Sequence, residues 1–250
     1  MDLVQRGSQT AKDGFRNEDD IVIKFNNWQK DNEAKLWLEY MGYKLEDIEY
    51  VKVIKVAKAK TDVQVQITIK LKKIIDAQNI QVKLVSNNSG FNQIDKRWVD
   101  NYVELWNIPN DVSSLLKQYT GETKPTFNTK DKRRAFANEF NDQEQMKLIK
   151  WIKNNQSLIV SDILKGRGQL AAEWMLVVQK ANSTTKWILN SMNYCLNFFG
   201  NGDVVITGRG SIRIGQITMQ RKGGDGGRDT ANMLQFKINP ALLFKNEITK

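Results

Sequence analysis

Apolar and polar positions alternate in two neighbouring segments of the first third of the chain. Residues 62–69 read Asp-Val-Gln-Val-Gln-Ile-Thr-Ile, and residues 79–85 read Asn-Ile-Gln-Val-Lys-Leu-Val. A period of two predicts β-strands, because successive side chains of a strand point to opposite faces of a sheet. A further β-rich run at 51–56 precedes them. The pattern therefore predicts adjacent strands in a meander or a similar arrangement.

Helical spacing of apolar residues occurs on both sides of these strands. It covers residues 13–30, 34–43, 95–106 and 143–154. Farther along, residues 173–179 predict a buried strand, 187–199 a helix or a strand followed by a helix, 204–222 two strands joined by a Gly-rich turn, and 232–238 another strand. This order predicts an α/β or α+β fold with a central mixed β-sheet flanked by helices.

Length and composition favour one globular unit. The chain has 250 residues, of which 40% are hydrophobic, and only three are proline. No Ser- or Gly-rich linker separates two halves. We therefore expect one domain over 1–250, with a Gly/Arg-rich region at 203–238 as a specialised part of it.

The net charge narrows the possible partners. A formal charge of +10 attracts polyanions, but does not identify them. The apolar runs are too short to cross a membrane, and the N-terminus has no apolar core of a signal peptide. Cys195 is the only cysteine, so neither an internal disulfide nor a thiolate zinc cluster can form. These features predict a cytoplasmic protein.

Histidine is absent from the sequence. Its absence excludes Ser-His-Asp and Cys-His catalysis, zinc bound by histidine, and nucleases with a histidine base. If the chain hydrolyses phosphodiesters, it must use carboxylates, amides, lysine and a hard cation.

Three residues on the alternating strands suit that chemistry. Gln81 and Lys83 share one face of their strand, and Asp62 begins the preceding strand. If the strands are neighbours, the three side chains converge. Asp62, the Gln81 amide oxygen and the Val82 carbonyl would then bind Mg²⁺. Lys83 would orient or deprotonate the attacking water, or stabilise the pentavalent state. The alternative is an exposed polar row on an ordinary strand.

The segment from Thr61-Asp62 through eighteen intervening residues to Gln81-Val82-Lys83 resembles a variant of the PD-(D/E)XK nuclease signature. More specifically, it resembles the HinPI-like type II restriction endonucleases, whose pattern is Ser-Asp, eighteen residues, Gln-x-Lys. Further stretches resemble that group in the same order: TAKDGF at 10–15, IQVKLVSN at 80–87, GFNQIDK at 90–96, NTKDKRR at 128–134 and QRKGGDGGRDTANMLQFK at 220–237. The resemblance covers nearly the whole chain.

The resemblance implies a bacterial, Mg²⁺-dependent enzyme that cuts double-stranded DNA at GCGC and leaves 5′-phosphates. It also implies a cognate DNA methyltransferase, and a palindromic target suggests a homodimer. Thr61 departs from the group's Ser but keeps the hydroxyl. Gln81 matches the group, whereas the wider superfamily has an acid there, and an amide should hold a cation less tightly.

Glu18 is a further candidate metal ligand. The first helix of many nucleases in this superfamily contributes an acid to the metal site, and Glu18 lies on the predicted first helix. The alternative is a carboxylate that complements the helix dipole.

Several segments are candidates for holding and reading DNA. Seven of the twenty residues from 208 to 227 are glycine, which lets the backbone approach phosphates, and arginine suits phosphates or guanine O6 and N7. Aspartate could accept from cytosine N4. The candidates in this region are Arg209, Arg221, Lys222, Asp225, Arg228, Asp229 and Asn232. Solvated hairpins with turn glycines are the alternative, and for Asn232 a role in fixing the loop.

Two other segments complete the set. The basic run of Lys132, Arg133 and Arg134 suits backbone phosphates, unless it is a solvated surface. The loop after the catalytic strand contains Phe91, Asn92 and Gln93, with Lys96 beyond them. There Phe91 could wedge into a base step and Gln93 could read a base. The alternative for Phe91 is a cap on the core.

Two other functions fit the same residues. A non-catalytic DNA-binding module on a decayed nuclease scaffold would explain an amide at position 81. A structure-specific nuclease, such as a junction resolvase, would share the core chemistry. Binding without hydrolysis would indicate the former, and preference for branched DNA the latter.

Overall fold

The computed structural model describes residues 3–56, 64–71, 74–87, 89–181 and 184–246. The chain forms two compact units. The first contains Met1–Asn92, Lys165–Cys195 and Asn239–Lys250, and the second contains Gln93–Leu164 and Leu196–Ile238. The expectation of one domain over 1–250 stays a prediction.

The elements follow one another with short connections. The helices are α1 Leu3–Asn26, α2 Asn32–Tyr40, α3 Val99–Trp106, α4 Asn110–Thr120, α5 Asp142–Asn154, α6 Gln156–Leu164 and α7 Met192–Gly200. The strands are β1 Ile48–Val56, β2 Gln64–Leu71, β3 Ile75–Val85, β4 Asn92–Arg97, β5 Trp174–Ala181, β6 Thr184–Ser191, β7 Val204–Ile206, β8 Ile212–Ile214, β9 Ile217–Arg221 and β10 Leu234–Ile238. No described helix has the length and apolarity that crossing a membrane requires.

The first unit is built on a five-stranded sheet with the order β1-β2-β3-β5-β6. β3 and β5 are parallel, and the other pairs are antiparallel. One face packs on α1 and α2, where Phe25 and Trp37 are buried in the same cluster as Ile80 and Val82. The predicted mixed sheet with flanking helices is confirmed.

The second unit contains another five-stranded sheet, with the order β4-β10-β9-β8-β7. Its core includes Phe236 of β10, whose ring lies edge-on to Tyr102 and Trp106 of α3. The rings of Tyr102 and Trp106 are stacked, with centroids 4.5 Å apart. The sequence pattern did not indicate this second sheet.

The helix predicted over 95–106 is wrong in its first part. Asn92–Arg97 forms β4, and α3 begins only at Val99. Asp95 is buried in β4, where it accepts hydrogen bonds from Tyr102 and Arg97. These tertiary partners stabilise a charged residue inside a strand, which a local pattern cannot indicate.

The prediction of two strands over 204–222 is also corrected, because three strands form there. The β8–β9 turn depends on Gly215, whose φ is +53°. A Cβ at that position would lie 2.6 Å from the carbonyl oxygen of Asn201. Only glycine fits so tight a turn. Of the two predictions for 187–199, the strand followed by a helix is correct, since β6 ends at Ser191 and α7 begins at Met192.

Candidate active site

β3 is the central strand of the first sheet and carries two of the three predicted catalytic residues. Gln81 and Lys83 are two positions apart and therefore project from one face, opposite Ile80 and Val82. Both are deeply buried, with 0% of Gln81 and 4% of Lys83 exposed. The alternative of an exposed polar row is therefore wrong for these two residues.

The side-chain amide of Gln81 makes no hydrogen bond. Both Nε2 and Oε1 are buried without a partner in the part of the chain that the structure describes. A buried polar group in that state costs about 1–3 kcal/mol. Such a cost is typical of a functional position, and the amide oxygen is a ligand that Mg²⁺ accepts. The residues present therefore fit a bound divalent cation.

Asn79 lies two positions before Gln81 on the same face of β3 and is fully engaged. Its Nδ2 donates to the carbonyl oxygens of Gln169, at 2.8 Å, and Ala171, at 3.1 Å. Its backbone N–H donates to Glu173 at 2.9 Å. These bonds anchor the segment that leads into β5. The fold thus satisfies a buried amide at position 79 but not at position 81.

Asp62 and Thr61 lie outside the described residues. The described part of β2 starts at Gln64, two residues later in the sequence, and Gln64 pairs with Gln81 across the antiparallel ladder. β2 and β3 are therefore neighbours, as the alternating pattern predicts. The convergence of Asp62 with Gln81 and Lys83 stays a prediction. Among the described residues, no three carboxylate or thiolate groups form a metal-binding cluster.

Glu18 is a buried residue of α1, and its Oε2 lies 3.9 Å from the Lys55 ammonium nitrogen. The same lysine is only 2.5 Å from Asp19. Since α1 packs on the Ile80 face of the sheet, Glu18 belongs to an element on the face opposite Gln81. Its role as a metal ligand stays a prediction.

Asn17 is a buried polar residue that the sequence analysis missed. Its side chain is 1% exposed, and neither amide atom has a partner in the described residues. It lies four residues before Ile21 and eight before Phe25, in phase with the apolar stripe of α1. That phase, a polar residue where the helix pattern requires an apolar one, is the signal in the sequence.

In the second unit, three arginines form a cluster, here called the arginine cluster: Arg133, Arg134 and Arg221. Burial lowers the pKa of Arg221, and the charges of Arg134 and Arg133 lower it further. Burial likewise lowers the pKa of Arg134, whose guanidinium lies 4.0 Å from the Phe136 ring centre. Mutual repulsion of this kind is relieved when an anion such as phosphate binds.

Neighbouring groups fix two members of the arginine cluster. Asn232 Oδ1 accepts from Arg221 Nη2 at 2.7 Å and from Nε at 3.1 Å. In the structure Asn232 therefore holds Arg221, as the loop-fixing alternative predicts. Arg133 donates to both carboxylate oxygens of Asp131 at 2.9 Å. These bonds lower the pKa of Asp131 to about 2.

The other candidate DNA-binding residues differ in exposure. Lys132, Arg209, Arg228 and Asp229 are exposed, whereas Asn92, Lys96 and Lys222 are half-buried. The side chain of Asp225 lies outside the part that the structure describes. Each role in DNA binding stays a prediction.

Phe91 and Gln93 differ in their surroundings. Phe91 is 56% exposed, so the alternative that it caps the core is wrong. Gln93 Oε1 accepts from the Gln235 amide at 2.6 Å. Gln93 is therefore positioned by β10, while the Phe91 ring is accessible to a partner.

Comparison with known proteins gives one family and one related fold. The sequence model of the R.HinP1I restriction endonuclease family matches residues 41–244. The crystal structure of restriction endonuclease MspI in complex with its cognate DNA is similar to this structure, with a TM-score of 0.63 and 13% identity. The similarity covers 95% of this chain and 93% of the other. No curated protein sequence matches the chain.

Proposed function

The chain belongs to the R.HinP1I restriction endonuclease family and is therefore a type II restriction endonuclease; from this premise we propose that it cuts double-stranded DNA at GCGC, with Mg²⁺, and leaves 5′-phosphates. The observation that carries the chemistry is the buried, unpartnered amide of Gln81 beside the buried ammonium group of Lys83. A cation, water molecules and a phosphate are the ligands that suit these two groups.

Mg²⁺ would be held by Asp62, the amide oxygen of Gln81 and the backbone carbonyl of Val82, with Glu18 as a further candidate. The bound cation supplies a more acidic water and neutralises charge on the phosphate. Lys83 orients the attacking water or takes its proton, and its positive charge opposes the negative charge that develops on the phosphate. Burial strengthens each of these interactions, because water does not screen them.

We assign DNA binding to residues of both units. The arginine cluster, Lys132, Lys222 and Lys96 suit phosphates, and exposed Arg209 and Arg228 suit phosphates or guanine edges. Asp225 and Asp229 are candidates for accepting from cytosine, with Asn232 positioning Arg221. Phe91, Asn92 and Gln93 are candidates for contacts within the base stack.

The partners and location follow from the same proposal. An enzyme that cuts a four-base palindrome would damage unprotected DNA of its own cell, so a methyltransferase that modifies GCGC is the expected companion in the bacterial cytoplasm. A two-fold symmetric target suits a homodimer. Sedimentation with and without a GCGC duplex measures the oligomeric state.

Digestion of two matched plasmids tests the proposed function. We expect purified protein with Mg²⁺ to cut an unmethylated plasmid into discrete fragments, and to leave intact a derivative in which every GCGC is changed. EDTA should abolish cutting, because the hydrolysis depends on the cation. A smear from both plasmids would contradict the assigned specificity.

Further outcomes address the other two functions. Salt-dependent binding without hydrolysis would favour a non-catalytic module. Preferential cutting of a branched duplex over a GCGC duplex would favour a junction nuclease. Family membership favours the restriction enzyme over both.

Replacing Arg221 with Ala is expected to weaken binding of a GCGC duplex by about tenfold or more, the scale of one lost guanidinium contact of about 1–3 kcal/mol. Asn232→Ala should produce a smaller loss, because the guanidinium remains but loses its acceptor. Fluorescence anisotropy in EDTA measures both effects. Lys153→Ala, a change on exposed α5, is the control. Equal affinities for all four proteins would rule out a role of Arg221 in binding.

A further inference from the structure

One face of the second sheet carries polar side chains on three adjacent strands. Arg213 of β8 pairs with Thr218 of β9, and Thr218 pairs with Lys237 of β10. Directly paired residues lie on the same face of a sheet. These three residues therefore form a row across the strands, here called the cationic row. Gln220 and Gln235 form the next pair on that face.

The opposite face of the same strands is the apolar core of the unit. Its buried members are Ile212, Ile214, Ile217, Met219, Leu234, Phe236 and Ile238. The cationic row is accessible by comparison, since Arg213 is exposed and Thr218 and Lys237 are half-buried. The polar face is thus available to a ligand.

No carboxylate neutralises the charges of the cationic row. Neither Arg213 nor Lys237 forms an ion pair with any residue in the described ranges. Burial lowers the pKa of Lys237, and the charge of Lys222 lowers it further. Two ammonium groups close together, one of them half-buried, destabilise the free protein unless an anion approaches.

The row also has the dimensions of a phosphate site. Neighbouring strands lie about 4.8 Å apart, so the backbones of Arg213 and Lys237 are separated by about two such spacings. Their long side chains can both reach a phosphate above Thr218, whose hydroxyl can donate to the same group. Three donors of two kinds would surround one phosphate.

We propose that Arg213, Thr218 and Lys237, with Lys222 beside them, bind a phosphate of the DNA backbone. The inference rests on the proposed function and adds Arg213, Thr218 and Lys237 to its DNA-binding residues. Such a site contacts no base. It contributes affinity and orientation for every sequence, whereas discrimination of GCGC depends on other residues.

Lys237→Gln tests the site through the salt dependence of binding. Affinity is measured by fluorescence anisotropy in EDTA for a GCGC duplex and a scrambled duplex of equal length, over a series of salt concentrations. Loss of one phosphate contact should lower the slope of log affinity against log salt by about 1. Both affinities should fall by the same factor, about tenfold. Lys150→Gln, which removes an exposed lysine of α5, should change neither quantity.

Three controls separate this site from a structural role and from the proposed function. Lys237→Gln should not lower the melting temperature, because it removes a half-buried charge beside Lys222; if it does, exposed Arg213→Gln provides the slope measurement. An unchanged slope in both variants, or a loss confined to the GCGC duplex, would overturn the phosphate site while wild-type cleavage preserves the function. If the wild type cuts neither plasmid, the proposed function itself fails.

Discussion

Replacement of Lys83 or Asp62 with Ala is expected to lower the rate of DNA cleavage by at least about a thousandfold, the scale of removing a group that stabilises the transition state. Duplex binding should persist, because phosphates and bases are assigned to other residues. Lys83 is 4% exposed on the face of β3 that also carries Gln81. No described carboxylate, thiolate or histidine cluster offers another catalytic centre.

Single-turnover cleavage of a duplex with one GCGC measures this effect, with anisotropy for binding and thermal unfolding for stability. Lys70→Ala is the matched control, since Lys70 belongs to the neighbouring strand β2 but is paired with Glu49 at 2.7 Å. It should cut at the wild-type rate. Cleavage by Lys83→Ala at a rate within about tenfold of the wild type would exclude Lys83 from a catalytic role.

Replacing Gln81 with Leu should have opposite effects on stability and activity. The amide is completely buried without a partner, so an apolar side chain of similar size should raise the free energy of unfolding of the metal-free protein by about 1–3 kcal/mol. Cleavage should fall by at least about a hundredfold, because an amide ligand of the cation is lost. Mg²⁺ should also stabilise the variant less than it stabilises the wild type.

Asn79→Leu is the matched comparison on the same face of β3. Its amide donates to two carbonyl oxygens, which the change would leave without these donors, so the free energy of unfolding should fall by about 1–3 kcal/mol. Urea denaturation in EDTA measures both variants. If Gln81→Leu destabilises the protein as much as Asn79→Leu does, Gln81 is a structural residue and not a site kept open for a ligand.

The sequence indicates the catalytic strand because its pattern is local. Alternation over 79–85 is sufficient to place Gln81 and Lys83 on one face of a strand, and β3 has them there. It cannot indicate that the face is buried, because burial depends on elements distant in sequence. The second sheet escaped prediction for a related reason: β7 and β8 have three residues each, too few for a period to be recognised.

Side-chain pairing limits what the sequence can say about DNA binding. The run at 132–134 is a group of free positive charges in the sequence, yet Arg133 forms two hydrogen bonds with Asp131. Conversely, Lys237 is an ordinary polar position of an alternating strand in the sequence. Only the register of β8, β9 and β10 brings it into one row with Arg213, so its lack of a counter-charge is a property of the fold.

Sequencing of both strands at the cut ends of a plasmid tests the central claim most directly. The account predicts that, with Mg²⁺, every break made by the wild type lies within GCGC, occurs on both strands and bears a 5′-phosphate, and that Lys83→Ala makes none. Breaks scattered over unrelated sequences, or the same breaks made by Lys83→Ala, would contradict it.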